Sequence, residues 1–269
     1  MLSDEGARLR GALDAIPGPI AVAVSGGIDS LTLATVAHHH APERTAMFHA
    51  VSPAVPGDAT ARVERLASER GWALRVIDAG EFDDADYRAN PVNRCFFCKT
   101  NLYGSIGRHT QAQMVSGANL NDLGEYRPGL DAARNNGVRH PYLEAKIDKA
   151  GVRRLARLEG LGDLAELPAA PCLSSRVETG IAIRADVLKA IHAVERGLAQ
   201  RFPLGTVRCR VRASGVVIEL DPVTLDAVMA GLQDGVRAHV AELFAGKVAS
   251  ADLRIEPYRN GSAFLHGAA

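Results

Sequence analysis

Three groups of residues in this 269-residue chain have types and spacings suited to chemistry. The first is Ser25-Gly26-Gly27-Ile28-Asp29-Ser30, which follows an apolar run (IAVAVS, 20–25) and precedes a helix-compatible one (SLTLATVAHHH, 30–40). Glycines let a backbone approach a ligand closely. Exposed amides at a helix N-terminus, with serine hydroxyls beside them, suit a phosphate. Asp29 adds a carboxylate suited to a magnesium ion riding on phosphates. A plain strand-to-helix turn would explain two glycines alone, but the full SGGxDS string is more specific than that. The GxxxxGK[ST] loop of ordinary NTPases is absent.

The second group is the cysteines. Cys95 and Cys98 lie in NPVNRCFFCKTNLY, and an i, i+3 spacing on a helix puts both thiols on one face. Cys172 lies in PAAPCLSSR, a Pro- and Ser-rich loop. Cys209 alternates with Arg208 and Arg210 on an expected strand and reads as a small buried residue. A CxxC pair with one distant Cys leaves several readings open. They are a structural zinc, a redox pair, a 4Fe–4S cluster held by three thiolates, or incidental cysteines.

The third group is basic and acidic. Arg208, Arg210 and Arg212 share one face of a strand by period two, and such a row is costly unless solvated or facing an anion. Arg176, beside Ser174 and Ser175, is a further candidate for substrate contact. Asn119, Asp122, Glu125 and Arg127 follow an expected strand at 114–118, which itself contains Gly117. Glu125 or Asp122 could join Asp29 on magnesium, and Arg127 could meet phosphate. Consecutive His38, His39 and His40 spread around a helix and read as surface residues.

The elements that must position these groups follow from periodicity. Short apolar runs at 20–25, 45–52, 73–79 and 114–118 read as strands, with helical patterns at 30–40, 59–71, 93–109 and 149–160 between and after them. That alternation predicts an α/β domain, a parallel sheet with helices on both faces, with ligands at the carboxyl ends of its strands. After about residue 184 the pattern changes to a helix (184–201), two strands joined at Ser214-Gly215, a helical run (222–245) and a strand at 248–255. The expected domains are therefore 1–184 and 185–269, the second a small α+β unit for substrate binding or oligomerisation.

Composition limits the partners. Lys+Arg and Asp+Glu are both 31, so net charge is zero, and residues 185–269 hold 10 basic and 9 acidic side chains. Neither half carries the basic excess of a nucleic-acid coat. No apolar run reaches membrane length and no secretory leader pattern opens the chain, which predicts a cytoplasmic protein with reduced cysteines.

The SGGxDS string resembles the PP-loop ATP pyrophosphatases, which cleave ATP between its α and β phosphates. With NPVNRCFFCK, GANLNDLGEYRPG, PCLSSR, VRCRVRASGVVIEL and YRNGS in that order, the chain is similar over residues 20–265 to the LarE family of ATP-dependent sulfur transferases. The resemblance implies a PP-loop fold. It implies that Ser25, Gly26, Gly27, Asp29 and Ser30 bind the pyrophosphate end of ATP, with Gly117, Asn119 and Arg127 also at the nucleotide. It implies adenylation of a carboxylate of pyridinium-3,5-biscarboxylic acid mononucleotide and its conversion to a thiocarboxylate, in nickel-pincer nucleotide synthesis. Three cysteines point to the branch in which Cys95, Cys98 and Cys172 hold a 4Fe–4S cluster. In the other branch the single loop Cys surrenders its own sulfur. A homo-oligomer is implied too. A PP-loop tRNA thiolase is the rival enzyme, disfavoured by the charge balance. Glu166-Leu167-Pro168 and Ile147-Asp148-Lys149 depart from the family pattern.

Overall fold

The computed structural model describes residues 4–124, 126–168, 171–201, 205–248 and 252–263. These fall into two compact units, one of residues 1–81 and 95–170, the other of 82–94 and 171–269.

The first unit is built on a four-stranded parallel sheet. Its strands are β1 (Ile20–Ala23), β2 (Thr45–Val51), β3 (Ala73–Asp78) and β4 (Gln113–Val115), in the order β3-β2-β1-β4. All four residues of β1 are buried, as an interior parallel strand requires. Because strand side chains alternate, β1 divides two cores. Ile20 and Val22 pack with Leu9, Leu13, Leu31, Val63 and Leu155, whereas Ala21 and Ala23 pack with Phe48, Tyr103, Ile106 and Ala133. The first group comes from α1 (Asp4–Asp14), α2 (Ile28–His40), α3 (Gly57–Arg70) and a later helix over Lys149–Leu158. The second comes partly from helices over Arg94–His109 and Pro128–Asn135. The unit is thus the expected α/β fold with helices on both faces, consistent with a PP-loop ATPase-like domain.

Numbered in chain order, the remaining helices are α4 (Ala85–Arg88), α5 (Arg94–His109), α6 (Pro128–Asn135), α7 (Pro141–Glu144), α8 (Lys149–Leu158), α9 (Ala185–Arg201), α10 (Pro222–Met229) and α11 (Gln233–Phe244). In the second unit β5 (Val207–Arg212) and β6 (Gly215–Leu220) form an antiparallel hairpin, and β7 (Arg254–Pro257) adds parallel to β6. The α9 stripe Val187, Leu188, Ile191, Val194 and Leu198 is buried.

Several boundaries differ from expectation. β4 stops at Val115 because the Ser116 amide leaves the ladder to donate to the Arg139 carbonyl (3.1 Å). The helical run 222–245 breaks into α10 and α11 at Gly231, whose φ of +140° no helix accommodates. The strand expected at 248–255 is found at Arg254–Pro257, while residues 249–251 lie outside the described ones. α1, α6 and α7 were not expected at all. Residues 82–94 and 171–184, expected in the first domain, group with the second unit. The Asn90 amide donates to the Glu178 (2.8 Å) and Ile181 (2.9 Å) carbonyls, and Val177 bridges to Val211 of β5.

Candidate functional site

The phosphate loop leaves β1 at its carboxyl end. The Val24 amide donates to the Phe48 carbonyl (2.8 Å), and the Val24 carbonyl faces Nδ1 of buried His49 (2.8 Å). Nε2 of His49 meets the Thr60 hydroxyl (2.9 Å), which ties α3 to the loop. Burial lowers the His49 pKa, partly offset by the Val24 bond and by Glu64. The imidazole is therefore neutral, its partners assigning the proton to Nδ1.

Gly26 turns the chain at φ +81°, and a Cβ there would lie 2.6 Å from the Ala59 carbonyl oxygen. Only glycine fits that close approach. Gly27 is the N-cap of α2 and provides no side-chain cap. The amides of the first turn are therefore not claimed by a capping side chain, the condition that favours an anion. The serines meanwhile bond one another. Ser30 Oγ accepts from the Ser25 amide (3.0 Å), lies 3.1 Å from Ser25 Oγ and donates to the Gly27 carbonyl (3.0 Å).

Asp29 is held from three sides. Lys149 Nζ lies 2.7 and 2.6 Å from its two carboxylate oxygens. Buried Asn119 donates to Oδ1 (3.3 Å), and buried Tyr142 donates its hydroxyl to the Asp29 carbonyl (3.0 Å). Burial pushes the Tyr142 pKa well up, so it stays a donor. The Gly117 Cα packs on this turn, where a Cβ would lie 3.0 Å from the Asp29 carbonyl carbon. Asp122 accepts from the Asn119 amide (2.9 Å) and pairs with Arg127 (2.9 Å). The structure therefore brings Ser25, Gly26, Gly27, Asp29, Ser30, Gly117 and Asn119 together and gives Arg127 a carboxylate partner. Glu125 lies outside the described residues.

No local sequence pattern pairs Lys149 or Tyr142 with Asp29. One signal pointed to the lysine. It opens a helix, where the dipole disfavours a cation, so a nearby anion would be favourable there. Its amide is held by Asn121 Oδ1 (2.8 Å). As an oxygen donor at phosphates, Asp29 suits magnesium, which usually takes one or two carboxylates and completes its shell with phosphate and water.

In the second unit, Cys172 caps the short 3-10 turn Leu173–Arg176. Its carbonyl accepts from the Ser175 amide (3.0 Å) and hydroxyl (2.8 Å). Arg176 is buried; its Nη1 donates to the Pro171 carbonyl (2.8 Å), and its fork binds Glu195 at 3.0 and 3.1 Å. Glu195 also accepts from the Cys209 amide (3.0 Å). The turn is held further by Tyr87, whose hydroxyl is 2.7 Å from Ser174 Oγ, and by Arg94, which donates to the Ser174 carbonyl (3.0 Å).

The arginine row on β5 meets anions supplied by the protein itself. Arg210 pairs with Glu219 (3.0 Å) and donates to the Ser175 carbonyl (3.1 Å), while Arg212 binds Glu219 (2.6 Å) and Glu256 (3.2 Å). Arg208 pairs with no carboxylate among the described residues. It lies over the Tyr258 ring (6.0 Å), and burial followed by repulsion from Arg176 lowers its pKa. It is the member of the row with charge to spare for a ligand. Glu195, Glu219, Tyr87 and Asn90 carried no sequence signal of their own.

Cys95 is exposed, Cys98 and Cys172 are half-buried and Cys209 is buried, as expected. Burial raises the Cys209 pKa well above the usual thiol range. Three accessible thiols are chemically apt ligands for iron. Among the described residues, however, no three His, Cys, Asp or Glu side chains form a group able to hold a metal ion. Cys95 and Cys98 belong to the first unit and Cys172 to the second. No helix of the described residues is long and apolar enough to cross a membrane.

No protein-family model matches the chain. An uncharacterized protein of Synechocystis sp. is 32% identical over 244 residues, 89% of this chain and 90% of its own length. An uncharacterized protein of Methanocaldococcus jannaschii is 26% identical over 206 residues, 75% of this chain and 77% of its own. The pyridinium-3,5-bisthiocarboxylic acid mononucleotide synthase of Lactiplantibacillus plantarum is 28% identical over 207 residues, 75% of this chain and 74% of its own. The chain therefore belongs to the family of the Synechocystis protein, and it is similar to the Lactiplantibacillus synthase.

Proposed function

We propose that the protein is an ATP-dependent sulfur transferase acting on pyridinium-3,5-biscarboxylic acid mononucleotide, a small-molecule nucleotide. The observation that carries this reading is the phosphate loop. An N-terminus of α2 without a side-chain cap stands beside Asp29, Lys149 and Asn119 at the carboxyl end of β1. Support comes from the name of the Lactiplantibacillus relative.

A substrate carboxylate oxygen bonds to the α-phosphorus. The bond from that phosphorus to the bridging oxygen breaks, and its electron pair leaves on pyrophosphate. The acyl-adenylate supplies the leaving group that a free carboxylate lacks. A sulfur nucleophile then bonds to the acyl carbon and AMP departs. Asp29 would hold magnesium, which neutralises phosphate charge when bound; Glu125 is the further candidate. Arg208 faces the substrate anion.

Cys172 is assigned to sulfur delivery. The resemblance offers a 4Fe–4S cluster on Cys95, Cys98 and Cys172, or surrender of the Cys172 sulfur itself. Anaerobic purification followed by iron and sulfide analysis decides between them. Bound iron that Cys95→Ala removes supports the cluster. Iron-free protein that thiolates once per chain, with Cys172 left as dehydroalanine, overturns it. Pyrophosphate release that depends on the dicarboxylate substrate tests the function as a whole, and its absence sinks the proposal. A salt-sensitive tRNA complex would favour the thiolase instead. Light scattering checks the homo-oligomer included in this reading.

A further inference from the structure

Arg62 stands on α3, one turn beyond Ala59, whose carbonyl abuts Gly26. Its Nε donates to the Gly26 carbonyl (3.1 Å). We propose that Arg62 is a pyrophosphate-binding residue, its guanidinium receiving the β and γ phosphates of ATP and holding pyrophosphate as it departs. The proposal deepens the ATP reading of this loop and rests on it.

The first argument is the charge left over. Arg62 is half-buried and forms no ion pair among the described residues. Asp58, four residues earlier on α3, raises its pKa without reaching ion-pair distance, while Arg65 lowers it. Withdrawal from water lowers it most. A guanidinium drawn from water without a counter-charge is unfavourable, and an arriving anion reverses that.

The second argument is geometry. Nε is committed to the left-handed glycine of the phosphate loop, so the head group is fixed beside that loop. Both Nη groups make no hydrogen bond among the described residues and remain available. A planar fork with spare N–H donors suits phosphate oxygens.

The third argument is where charge develops. When the bond between the α-phosphorus and the bridging oxygen breaks, the electron pair settles on pyrophosphate. A cation fixed at that end stabilises the leaving group more than the ground state. AMP carries no β or γ phosphate, so it gains nothing from Arg62.

The test measures pyrophosphate and AMP binding separately by calorimetry, with magnesium, on the full chain. Arg62→Gln keeps an amide donor for the Gly26 carbonyl but removes the charge; Arg62→Lys restores charge without the fork. Arg62→Gln should weaken pyrophosphate about tenfold or more, the scale of a charge-assisted hydrogen bond, while AMP affinity holds within about twofold. Arg62→Lys should recover part of the loss. Unchanged pyrophosphate affinity in Arg62→Gln overturns the assignment. So does a parallel loss of AMP binding, which would mark Arg62 as a loop brace only. Wild-type protein that binds neither ligand sinks the ATP reading and this proposal with it. Wild-type binding with an unaffected variant sinks this proposal alone.

Discussion

Lys149 and Asp29 are 120 positions apart in sequence, yet the ammonium sits within 2.7 Å of both carboxylate oxygens. Both side chains are about one-third exposed, at 31% and 32%, so the pair adds little to stability. Its value lies at the site, because under the proposed function the carboxylate that the lysine holds is the one that would take magnesium. Lys149→Met should lower the melting free energy by under about 1 kcal/mol. It should lower substrate-dependent pyrophosphate release by about tenfold or more, since the charge-assisted contact that fixes Asp29 is lost. A variant that melts normally and turns over at the wild-type rate would contradict this.

Much of this site was readable because its signals are local. An apolar run, two glycines and a Ser/Asp string specify β1, the loop and α2 between Ile20 and His40. The partners of Asp29 come from far along the chain, and neither hydrophobic period nor turn chemistry encodes such a pairing. The β5 arginines show the same limit. Their shared face followed from period two, but the anion they face depends on hairpin register, which sets Arg208 opposite Glu219. Diagonal reach then gives that carboxylate to Arg210 and Arg212. The missed α1 carries a buried stripe of only Gly6, Leu9 and Leu13, too sparse to stand out.

Gly117 should resist any side chain. A Cβ there would stand 3.0 Å from the Asp29 carbonyl carbon and 3.1 Å from both the Asp29 oxygen and the Ser30 amide. All three are backbone atoms of the phosphate loop, so the loop itself must move. Gly117→Ala is expected to weaken ATP by about tenfold or more while circular dichroism keeps its helix signal, because a displacement of well under 1 Å is costly for oriented amides. Calorimetric titration with ATP reads the effect, and normal affinity would mean the loop yields freely.

His49 makes stability fall in mild acid. Its native pKa is lowered by burial below the ordinary value of 6.5, so the unfolded chain takes up the proton first. The contribution is complete above pH 6.5 and is lost as pH drops from there toward the native value. Half-buried His140, also lowered chiefly by burial, acts in the same sense. Urea midpoints should therefore decline from pH 7.5 to 5.5, and His49→Gln should flatten the decline without removing the His140 part. An identical slope in the variant would show that His49 takes no part in it.

Glu195 is the brace of the Cys172 turn. It binds Nε and Nη2 of buried Arg176 and the Cys209 amide. Glu195→Ala leaves the Arg176 guanidinium buried and unpaired, a loss of about 3–5 kcal/mol. Glu195→Gln keeps an acceptor for the amide and should lose less. Urea unfolding ranks the two, and equal stabilities would mean the ion pair is dispensable.

The thiols should separate by reactivity. Cys95 is exposed, Cys98 and Cys172 are half-buried, and Cys209 is buried with its pKa pushed well up by desolvation. The thiolate is the reacting form, so burial slows Cys209 twice, by access and by ionisation. Iodoacetamide on native protein, followed by peptide mass mapping, should modify Cys95 first and Cys98 and Cys172 next. Cys209 should stay unmodified until denaturant is added. Bound iron would protect Cys95, Cys98 and Cys172 together, and chelation would release them together. Separate protection of Cys172 alone would detach it from the CxxC pair and favour direct surrender of its sulfur. Labelling of Cys209 at the Cys172 rate would contradict its placement against α9.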